Sequence, residues 1–324
     1  MKADALWVVE PFKIEVRPFE VEEPKYDEVM FKTMACGLCC WDSSLYQCIT
    51  APGPAPYVIG HEGVGIVEKV GEGVTNVKPG DKVFCASGSN VMMSEYTTVK
   101  SDCVVKLPDD TSDWASAVIE PNCCVVNLLN TTNVQAGDHV VLVGAGYMGT
   151  MTLQGLTRGS QAGRITVFEL REDRREMAKA YPGCEVYDPE SEEGKKVIDE
   201  IVAKGGADVV IDFGASKSGF ELANKLFRQG GKLTLGSWHR GMMEFDGSRW
   251  HLGGVTVYNL SPMSNDHYTD MLPRTYELIK RGVYEPGKLV THTVHFRDSE
   301  KLAEVFMHSI KKTDGYMKAV VMFD

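Results

Sequence analysis

The sequence has little positive charge and no long hydrophobic run. Its 34 Lys and Arg residues are outnumbered by 45 Asp and Glu residues, which gives a formal net charge of -11. Such an acidic chain lacks the basic surface that binds nucleic acid phosphates or anionic lipids, so neither is expected as a partner. No apolar run approaches the roughly 18 residues of a membrane span, and the N-terminus has no apolar signal segment. We therefore expect a cytoplasmic protein that acts on a small molecule.

The sequence also lacks the cysteine density of a small secreted domain. Its nine cysteines are spread over 324 residues, so reduced thiols and metal ligands are expected rather than a disulfide framework. Hydrophobic residues make up 43% of the chain and charged residues 24%, which excludes disordered and low-complexity proteins. The length suits two domains of ~150 residues each.

The first part of the chain, from Met1 to about Pro121, has the pattern of a β-rich domain. Short β-branched runs at 28–33, 65–70, 82–85 and 96–99 are separated by glycine and proline. This spacing predicts a small antiparallel β-barrel or sandwich. After residue 262 we predict a helix at 268–280, a strand at 291–296, a helix at 298–310 and a strand at 317–322.

The middle of the chain has a different pattern, which begins near residue 133. The run at 140–143 is continuously apolar and predicts a strand that is buried on both faces. Further candidate strands lie at 165–168, 209–213, 233–235 and 255–258, with helical segments such as 172–180 and 219–228 between them. This alternation predicts a doubly wound parallel α/β sheet.

A glycine-rich turn follows the first strand of this predicted sheet. Residues 144–149 read Gly-Ala-Gly-Tyr-Met-Gly and fit the pattern G-x-G-x-x-G of dinucleotide-binding folds. Such a pattern makes a tight turn, lets a pyrophosphate approach the backbone at the helix N-terminus, and lets the helix pack closely on the strand. The candidate cofactor-binding residues here are Gly144, Gly146, Tyr147, Met148 and Gly149.

Glu169 follows the next predicted strand, 25 residues after Gly144. A carboxylate at this place accepts hydrogen bonds from a ribose 2′-hydroxyl and repels a 2′-phosphate, so NAD is expected rather than NADP. Arg171 weakens that preference and is a further candidate cofactor contact. The alternative is a glycine-rich structural turn with an incidental acidic residue at the strand end.

Three stretches offer side chains of the kinds that bind zinc. They are Cys36-Gly37-Leu38-Cys39, then His61-Glu62, and then Glu120. A catalytic zinc takes three protein ligands and keeps one position open, and Cys39, His61 and Glu120 would supply them. Taken singly, a cysteine is usually a small core residue and a histidine a structural one, so the prediction depends on the combination.

The motifs together resemble the zinc-dependent medium-chain dehydrogenase/reductase family. The resemblance is carried by A-C-G-L-C at 35–39, G-H-E-G-V-G at 60–65, P-G-D-K-V at 79–83 and the glycine-rich turn. It implies a GroES-like β-barrel catalytic domain formed by 1–123 and 263–324, with a Rossmann dinucleotide-binding domain at 124–262. Glu120-Pro121 is similar to the sorbitol dehydrogenase branch. A homodimer or homotetramer is also implied.

The resemblance assigns the ligands and limits the number of zinc ions. It implies Cys39 rather than Cys36 as the zinc-bound cysteine, while Glu62 is a transient ligand or lies just behind the site. Family members often hold a structural zinc with four closely spaced cysteines. Here only Cys85 and Cys103 lie in that region, so one zinc per chain is expected.

The proton relay of the family is altered in this sequence. Members usually place Ser or Thr two residues after the ligand cysteine, and often His five after it, where this chain has Trp41 and Ser44. Because an indole nitrogen donates but does not accept, Glu62, Ser43 or Ser44 is expected to pass the proton on through water. Trp41 offers a flat wall for stacking a sugar ring, or else only fills the core.

These predictions lead to one main hypothesis and several alternatives. The main hypothesis is reversible, zinc- and NAD-dependent oxidation of a secondary alcohol on a polyol, cyclitol or sugar derivative. The alternatives are a reductase of a conjugated carbonyl or imine, a redox-neutral elimination enzyme that uses NAD, and a non-catalytic NAD-binding protein. Surface or loop roles are expected for Asn122, His239, Asn259 and His267.

Overall fold

A computed structural model describes residues 1–50, 53–87, 91–261, 268–313 and 315–323. The chain forms two compact units. The first consists of Met1–Cys123, Thr269–Leu278 and Glu285–Asp324, and the second of Cys124–Tyr268 and Ile279–Tyr284. The predicted domain limit between 262 and 263, and the candidate residue His267, lie outside the described residues.

The regular elements are numbered in chain order. The strands are β1 (Lys2–Glu10), β2 (Lys13–Glu20), β3 (Glu28–Leu38), β4 (Tyr57–Val58), β5 (Glu62–Val70), β6 (Lys82–Cys85), β7 (Tyr96–Lys100), β8 (Val104–Lys106), β9 (His139–Val143), β10 (Arg164–Phe168), β11 (Cys184–Tyr187), β12 (Ala207–Asp212), β13 (Phe227–Leu235), β14 (Thr256–Asn259), β15 (His292–His295) and β16 (Ala319–Met322). The helices are α1 (Cys40–Tyr46), α2 (Glu120–Thr132), α3 (Tyr147–Gly159), α4 (Glu172–Lys179), α5 (Glu192–Ala203), α6 (Lys217–Leu226), α7 (Gly247–Gly253), α8 (Met271–Lys280) and α9 (Ser299–Lys311). Among the described residues, none of these helices has the length and apolar character needed to cross a bilayer.

The first unit is formed mainly by antiparallel strands. Its larger sheet has the order β15-β16-β3-β5-β6-β8, with β7 also paired to β3, and a smaller sheet has the order β2-β1-β4. The predicted β-rich segments correspond to β3, β5, β6 and β7. Strands β1 and β2 were not predicted, although the side chains of Ala3, Ala5 and Val8 in β1 are buried in the core. The long strand β3 ends directly before α1, so it brings Leu38 and Cys39 to one end of the sheet.

Asp81 fixes the turn that leads into β6. Its carboxylate accepts hydrogen bonds from the backbone N–H of Lys78 at 3.0 Å and from Lys106 Nζ at 2.8 Å. The side chain of Asp81 is nearly buried. Lys106 and the Lys78 amide hold the pKa of this carboxyl below its ordinary value of 3.8, against the opposing effect of burial.

Replacing Asp81 with Asn is expected to lower the free energy of unfolding by about 1–2 kcal/mol at neutral pH, since charge-assisted hydrogen bonds are lost. Because the folded-state pKa of Asp81 is lowered, its contribution is complete above the unfolded value and is lost as the pH falls through the folded value. Urea unfolding at pH 7 and pH 3 measures both effects. The difference in the free energy of unfolding between wild type and Asp81→Asn should be smaller at pH 3 than at pH 7. The exposed control Asp110→Asn should have the free energy of unfolding of wild type at both pH values.

The second unit contains the predicted parallel sheet. Its strands follow the order β11-β10-β9-β12-β13-β14 and every neighbouring pair is parallel. The central strand β9 is almost completely buried because helices cover both faces, which explains its continuous apolar run. The predicted fold class is confirmed. The sequence did not identify β11, and β13 begins at Phe227, inside the segment that was predicted as the end of a helix.

Candidate metal and dinucleotide sites

Cys39 occupies the N-cap position of α1, directly after β3. Its backbone N–H donates to Asp42 Oδ2 at 2.9 Å, and the other oxygen of Asp42 accepts from the backbone N–H of Gly60 at 3.0 Å. An acidic residue in the first turn of a helix satisfies free N–H groups and is favoured by the helix dipole. The fully buried Asp42 therefore ties the start of α1 to the loop that carries His61.

His61 and Glu62 lie where this loop enters β5. Gly60 has φ +95°, a conformation that glycine adopts without strain, and a Cβ there would lie 2.5 Å from Met93 Cγ. On the neighbouring strand, a Cβ at Gly37 would lie 1.9 Å from Glu62 Oε2. Glycine at 37 is thus required to leave room for the buried Glu62 carboxylate.

Cys39, His61 and Glu62 form the group of potential metal ligands that is found among the described residues. Each offers one ligand atom, and these sulfur, nitrogen and oxygen atoms all lie within 4.8 Å of one another. His61 Nδ1 is buried without a hydrogen-bond partner, since Asp42 Oδ1 is 3.6 Å away. A buried, unpartnered imidazole nitrogen beside a thiol and a carboxyl is the donor set that zinc takes. The residues present therefore fit a zinc ion.

The surroundings favour charged forms of Cys39 and His61. A hydrogen bond from the Cys40 thiol, together with His61 and Lys318, holds the pKa of Cys39 well below its ordinary value despite burial. Burial opposes protonation of His61, but the Asp42 carboxylate outweighs it and, with Cys39, raises the pKa of His61. The thiolate form of Cys39 is the form that binds metals.

Glu62 is paired with Lys318 inside the first unit. Lys318 Nζ lies 2.5 Å from Glu62 Oε2 and donates to the carbonyl of Leu38 at 3.2 Å, and both charged side chains are buried. Burial raises the pKa of Glu62 to about 8, with Lys318 opposing the shift and Cys39 and Glu120 adding to it. Glu120, the first residue of α2, is buried and close enough to Glu62 to raise its pKa. The predicted ligand Glu120 thus lies in the same charged region, outside the tight group of three.

Apart from Glu62 in β5, the residues considered for proton transfer lie on α1. Ser43 Oγ is 2.7 Å from Ser309 Oγ and donates to the Cys39 carbonyl at 3.4 Å. Ser44 Oγ donates to the Cys40 carbonyl at 3.0 Å, and both serines are buried. Trp41 is partly buried and packs against the core of this unit.

The glycine-rich turn in the second unit joins β9 to α3. Gly144 has φ +90°, and a Cβ there would lie 2.8 Å from the backbone of Phe213. Gly146 is the N-cap of α3, so Tyr147 and Met148 begin the helix with their backbone N–H groups at its free end. A Cβ at Gly149 would lie 2.1 Å from the Gly144 carbonyl. Gly144 is therefore needed for the turn, and Gly149 for the close packing of the helix.

Glu169 and two arginines border this turn. Glu169 Oε2 accepts from the backbone N–H of Ala145 at 2.7 Å, and its Oε1 accepts from that of Arg171 at 2.9 Å. The Arg171 guanidinium is engaged with Asp173 through two hydrogen bonds, at 2.9 and 2.6 Å. Arg174 faces Gly146, and its Nε is buried without a partner. This arrangement places a cation beside the helix N-terminus, where a pyrophosphate binds.

Sequence reasoning missed Asp42, Lys318 and Arg174, and it misjudged Asn122. An acidic residue three positions after Cys39 is a helix-capping signal that would have identified Asp42. Lys318 carries no such signal, because its partner Glu62 is 256 residues away in the chain. Asn122 was expected at the surface or in a loop, but it lies in α2, fully buried, and neither polar atom of its side chain has a partner among the described residues.

Comparison with known proteins identifies the family. The model for the alcohol dehydrogenase GroES-like domain matches residues 25–109, and the model for zinc-binding dehydrogenase matches residues 148–277. An alcohol dehydrogenase of Geobacillus stearothermophilus is 30% identical over 259 residues, covering 70% of this chain and 76% of the relative. D-xylulose reductase A of Aspergillus oryzae is 24% identical and covers 83% and 81% of the two chains. The crystal structure of 2R,3R-butanediol dehydrogenase from Bacillus subtilis superposes with a TM-score of 0.82 at 23% identity, covering 99% and 100%. The chain belongs to the zinc-dependent medium-chain alcohol dehydrogenases and is an oxidoreductase that acts on CH–OH groups.

Proposed function

We propose that the protein catalyses the reversible oxidation of a secondary alcohol on a polyol, cyclitol or sugar derivative, with NAD as the hydride acceptor. The proposal is carried by the group of Cys39, His61 and Glu62, whose ligand atoms lie within 4.8 Å of one another. The relatives that are named 2R,3R-butanediol dehydrogenase and D-xylulose reductase support a polyol or sugar as the substrate class.

One zinc ion per chain is proposed, held by Cys39, His61 and Glu120. Bound there, zinc would act as a Lewis acid that lowers the pKa of a substrate hydroxyl. Asp42 orients the site by fixing the Cys39 backbone and lying close to His61. Glu62 stays behind the ligands or replaces one of them transiently, and its contact with Lys318 keeps the carboxylate in place.

The dinucleotide is proposed to bind in the second unit, with Gly144, Gly146, Tyr147, Met148 and Gly149 at the pyrophosphate. NAD would supply the carbon that accepts the hydride. Glu169 is proposed to read the ribose 2′-hydroxyl, because each carboxylate oxygen has lone pairs beyond those used by Ala145 and Arg171. Arg174 would balance the pyrophosphate charge.

The proton of the substrate hydroxyl has a proposed route through Glu62, Ser43 or Ser44. The Ser43 hydroxyl contacts the hydroxyl of the buried Ser309, whereas the Ser44 hydroxyl donates a hydrogen bond to a backbone carbonyl of its own helix. Trp41 is proposed to form an apolar wall that stacks on a sugar face. Because the two serine hydroxyls are buried and already engaged, a second candidate function is kept: reduction of a conjugated carbonyl or imine, or a redox-neutral elimination that regenerates NAD in each turnover.

The first experiment combines metal analysis with cofactor absorbance. Purified protein is analysed for zinc and then incubated with a panel of polyols, cyclitols and sugars and either NAD⁺ or NADP⁺, while absorbance is followed at 340 nm. One zinc per chain with growth of NADH on a polyol is the expected result. Zinc without net NADH on any alcohol would overturn the main proposal and favour the second candidate, which is then tested by consumption of NADH or by dehydration products.

Replacing Glu169 with Ala is expected to weaken NAD⁺ binding by about tenfold or more and to narrow its advantage over NADP⁺. The variant loses the acceptor for the ribose and the repulsion of a 2′-phosphate, and the Ala145 N–H loses its partner. Dissociation constants for both cofactors, measured by protein fluorescence, test this expectation. The control Glu172→Ala removes an exposed carboxylate from the start of α4 and should change neither constant. An unchanged ratio of the dissociation constants for NAD⁺ and NADP⁺ in Glu169→Ala would show that this carboxylate does not bind the ribose hydroxyl.

The domain roles and the oligomer follow from the same proposal. We assign the zinc and substrate site to a catalytic domain of 1–123 and 263–324, and the dinucleotide site to a domain of 124–262. A homodimer or homotetramer is proposed because β14 is the last strand of the second unit's sheet and the nearby Leu252 is 75% exposed. Light scattering coupled to gel filtration measures the mass in solution, and a monomer would contradict the proposal.

A further inference from the structure

A buried acid and an imidazole meet at the carboxyl ends of β12 and β13. Asp212 is the last residue of β12 and is completely buried. His239 follows β13 by four residues, in a segment without regular structure, and its side chain is 9% exposed. Asp212 Oδ2 and His239 Nε2 are 2.8 Å apart. The loop position that was expected for His239 is correct, but the side chain points inward rather than to the surface.

The pair holds two loops together. Asp212 Oδ1 accepts from the backbone N–H of Gly214 at 2.7 Å, in the loop after β12. The backbone carbonyl of Asp212 accepts from the N–H groups of Gly236 at 3.0 Å and Ser237 at 3.2 Å, in the loop after β13. The His239 ring is placed by an edge contact with Phe220 of α6, at 5.4 Å between ring centroids. Both loops are therefore fixed relative to the sheet.

The hydrogen bonding of the pair is incomplete. Asp212 Oδ2 and His239 Nε2 face each other at 2.8 Å without good hydrogen-bond alignment, and neither buried atom has another hydrogen-bond partner among the described residues. Burial raises the pKa of Asp212 above its ordinary value, against the opposing effects of the Gly214 N–H and His239. Burying two such groups costs free energy, and unsatisfied buried polar atoms often belong to a ligand site.

The position of the pair indicates which ligand it serves. Starting from β9, the sheet adds β10 and β11 on one side and β12, β13 and β14 on the other, so the strand order reverses between β9 and β12. Ligands of such parallel sheets bind outside the carboxyl ends of the strands at this point. The loop after β12 adjoins the glycine turn, since a Cβ at Gly144 would touch the Phe213 backbone. Glu169 lies after β10, on one side of the turn. The pair lies after β12 and β13, on the other side.

We propose that His239 binds a ribose hydroxyl in the nicotinamide half of the dinucleotide, and that Asp212 is the positioning residue that holds its ring. With Nε2 turned to Asp212, His239 Nδ1 is left for the ligand. A ribose hydroxyl both donates and accepts, so it matches either protonation state of that nitrogen. Glu169 and His239 then bind hydroxyl groups of the two riboses from opposite sides of the glycine turn, with His239 at the ribose of the nicotinamide half. This inference rests on the proposed binding of NAD in the second unit.

The test compares a whole dinucleotide with its adenosine half. Dissociation constants for NAD⁺, NADH and AMP are measured by protein fluorescence for wild type, His239→Ala, His239→Asn and Asp212→Asn. In His239→Ala the constants for NAD⁺ and NADH should rise roughly tenfold, the loss of one good hydrogen bond, while that for AMP stays unchanged. His239→Asn should recover part of the affinity, because its amide also donates and accepts. Asp212→Asn should show a smaller loss that is likewise confined to NAD⁺ and NADH.

Matched controls separate the possible failures. His251→Ala removes an exposed imidazole from α7 of the same unit and should leave all three constants unchanged. If His239→Ala binds NAD⁺ as wild type does, or loses AMP and NAD⁺ equally, the inference is wrong while the proposed function stands. If wild type binds neither NAD⁺ nor AMP, the proposed cofactor site itself is wrong. Should Asp212→Asn not fold, as judged by its thermal unfolding midpoint, the two His239 variants decide the question.

Discussion

Replacing Cys39 with Ser is expected to reduce the zinc content of the purified protein to near zero and to lower the oxidation rate by at least about 10³-fold. A serine hydroxyl stays protonated at neutral pH and does not replace the thiolate that Cys39 offers beside His61. Loss of a Lewis acid removes several kcal/mol of transition-state stabilisation, and each 1.36 kcal/mol is a factor of ten in rate. Dinucleotide binding should survive, because the glycine turn belongs to the other compact unit.

Elemental analysis of Cys39→Ser and of Cys36→Ser distinguishes the two candidate cysteines. Cys36 is fully buried in β3, where burial raises the pKa of its thiol and keeps it protonated. Cys36→Ser should therefore retain its zinc, and Cys36→Ala replaces it as the control if the buried hydroxyl prevents folding. Full zinc in Cys39→Ser together with metal loss in Cys36→Ser would move the ligand assignment to Cys36.

The parts of the fold that the sequence predicted share one physical signal. Strands β9, β10 and β12 are buried on both faces, so each appears in the sequence as a continuous apolar run, and their order with the helices predicts a parallel sheet. Strands β1 and β2 gave a weaker signal. Many of their side chains are only partly buried, and polar residues interrupt their apolar positions.

The candidate site shows where sequence reasoning stops. Cys39 and His61 were predicted as zinc ligands together with Glu120, and the family resemblance added Glu62 as a transient ligand. The structure brings the ligand atoms of Cys39, His61 and Glu62 together. Lys318 was not found, because a long-range ion pair leaves no periodic or local pattern in the chain. The burial of His239 was missed for a similar reason. Its role depends on contacts with Asp212 and Phe220, which only the folded sheet brings close.

The buried pair of Lys318 and Glu62 makes the strongest stability prediction. Replacing Lys318 with Met removes the ammonium but keeps most of the side-chain volume, so the Glu62 carboxyl is left buried without its cation. Removing one partner of a buried ion pair typically costs about 3–5 kcal/mol. We therefore expect Lys318→Met to lower the free energy of unfolding of the metal-free protein towards that amount in urea titrations at pH 9, and by less at pH 7, where a Glu62 carboxyl with a pKa of about 8 is mostly protonated. Metal-free protein is used because bound zinc adds its own binding free energy to the stability.

The double variant Lys318→Met with Glu62→Gln tests whether the loss comes from an isolated charge. Without the carboxylate there is no buried anion to leave unpaired, so the double variant should recover much of the lost stability. Lys69→Met is the matched control, because Lys69 forms a 2.8 Å ion pair with Glu23 in which both side chains are solvent-exposed, and such pairs contribute little. If the double variant is as unstable as Lys318→Met alone, the loss reflects packing around the lysine stem, and Lys318 has no electrostatic role in holding Glu62 beside the zinc ligands.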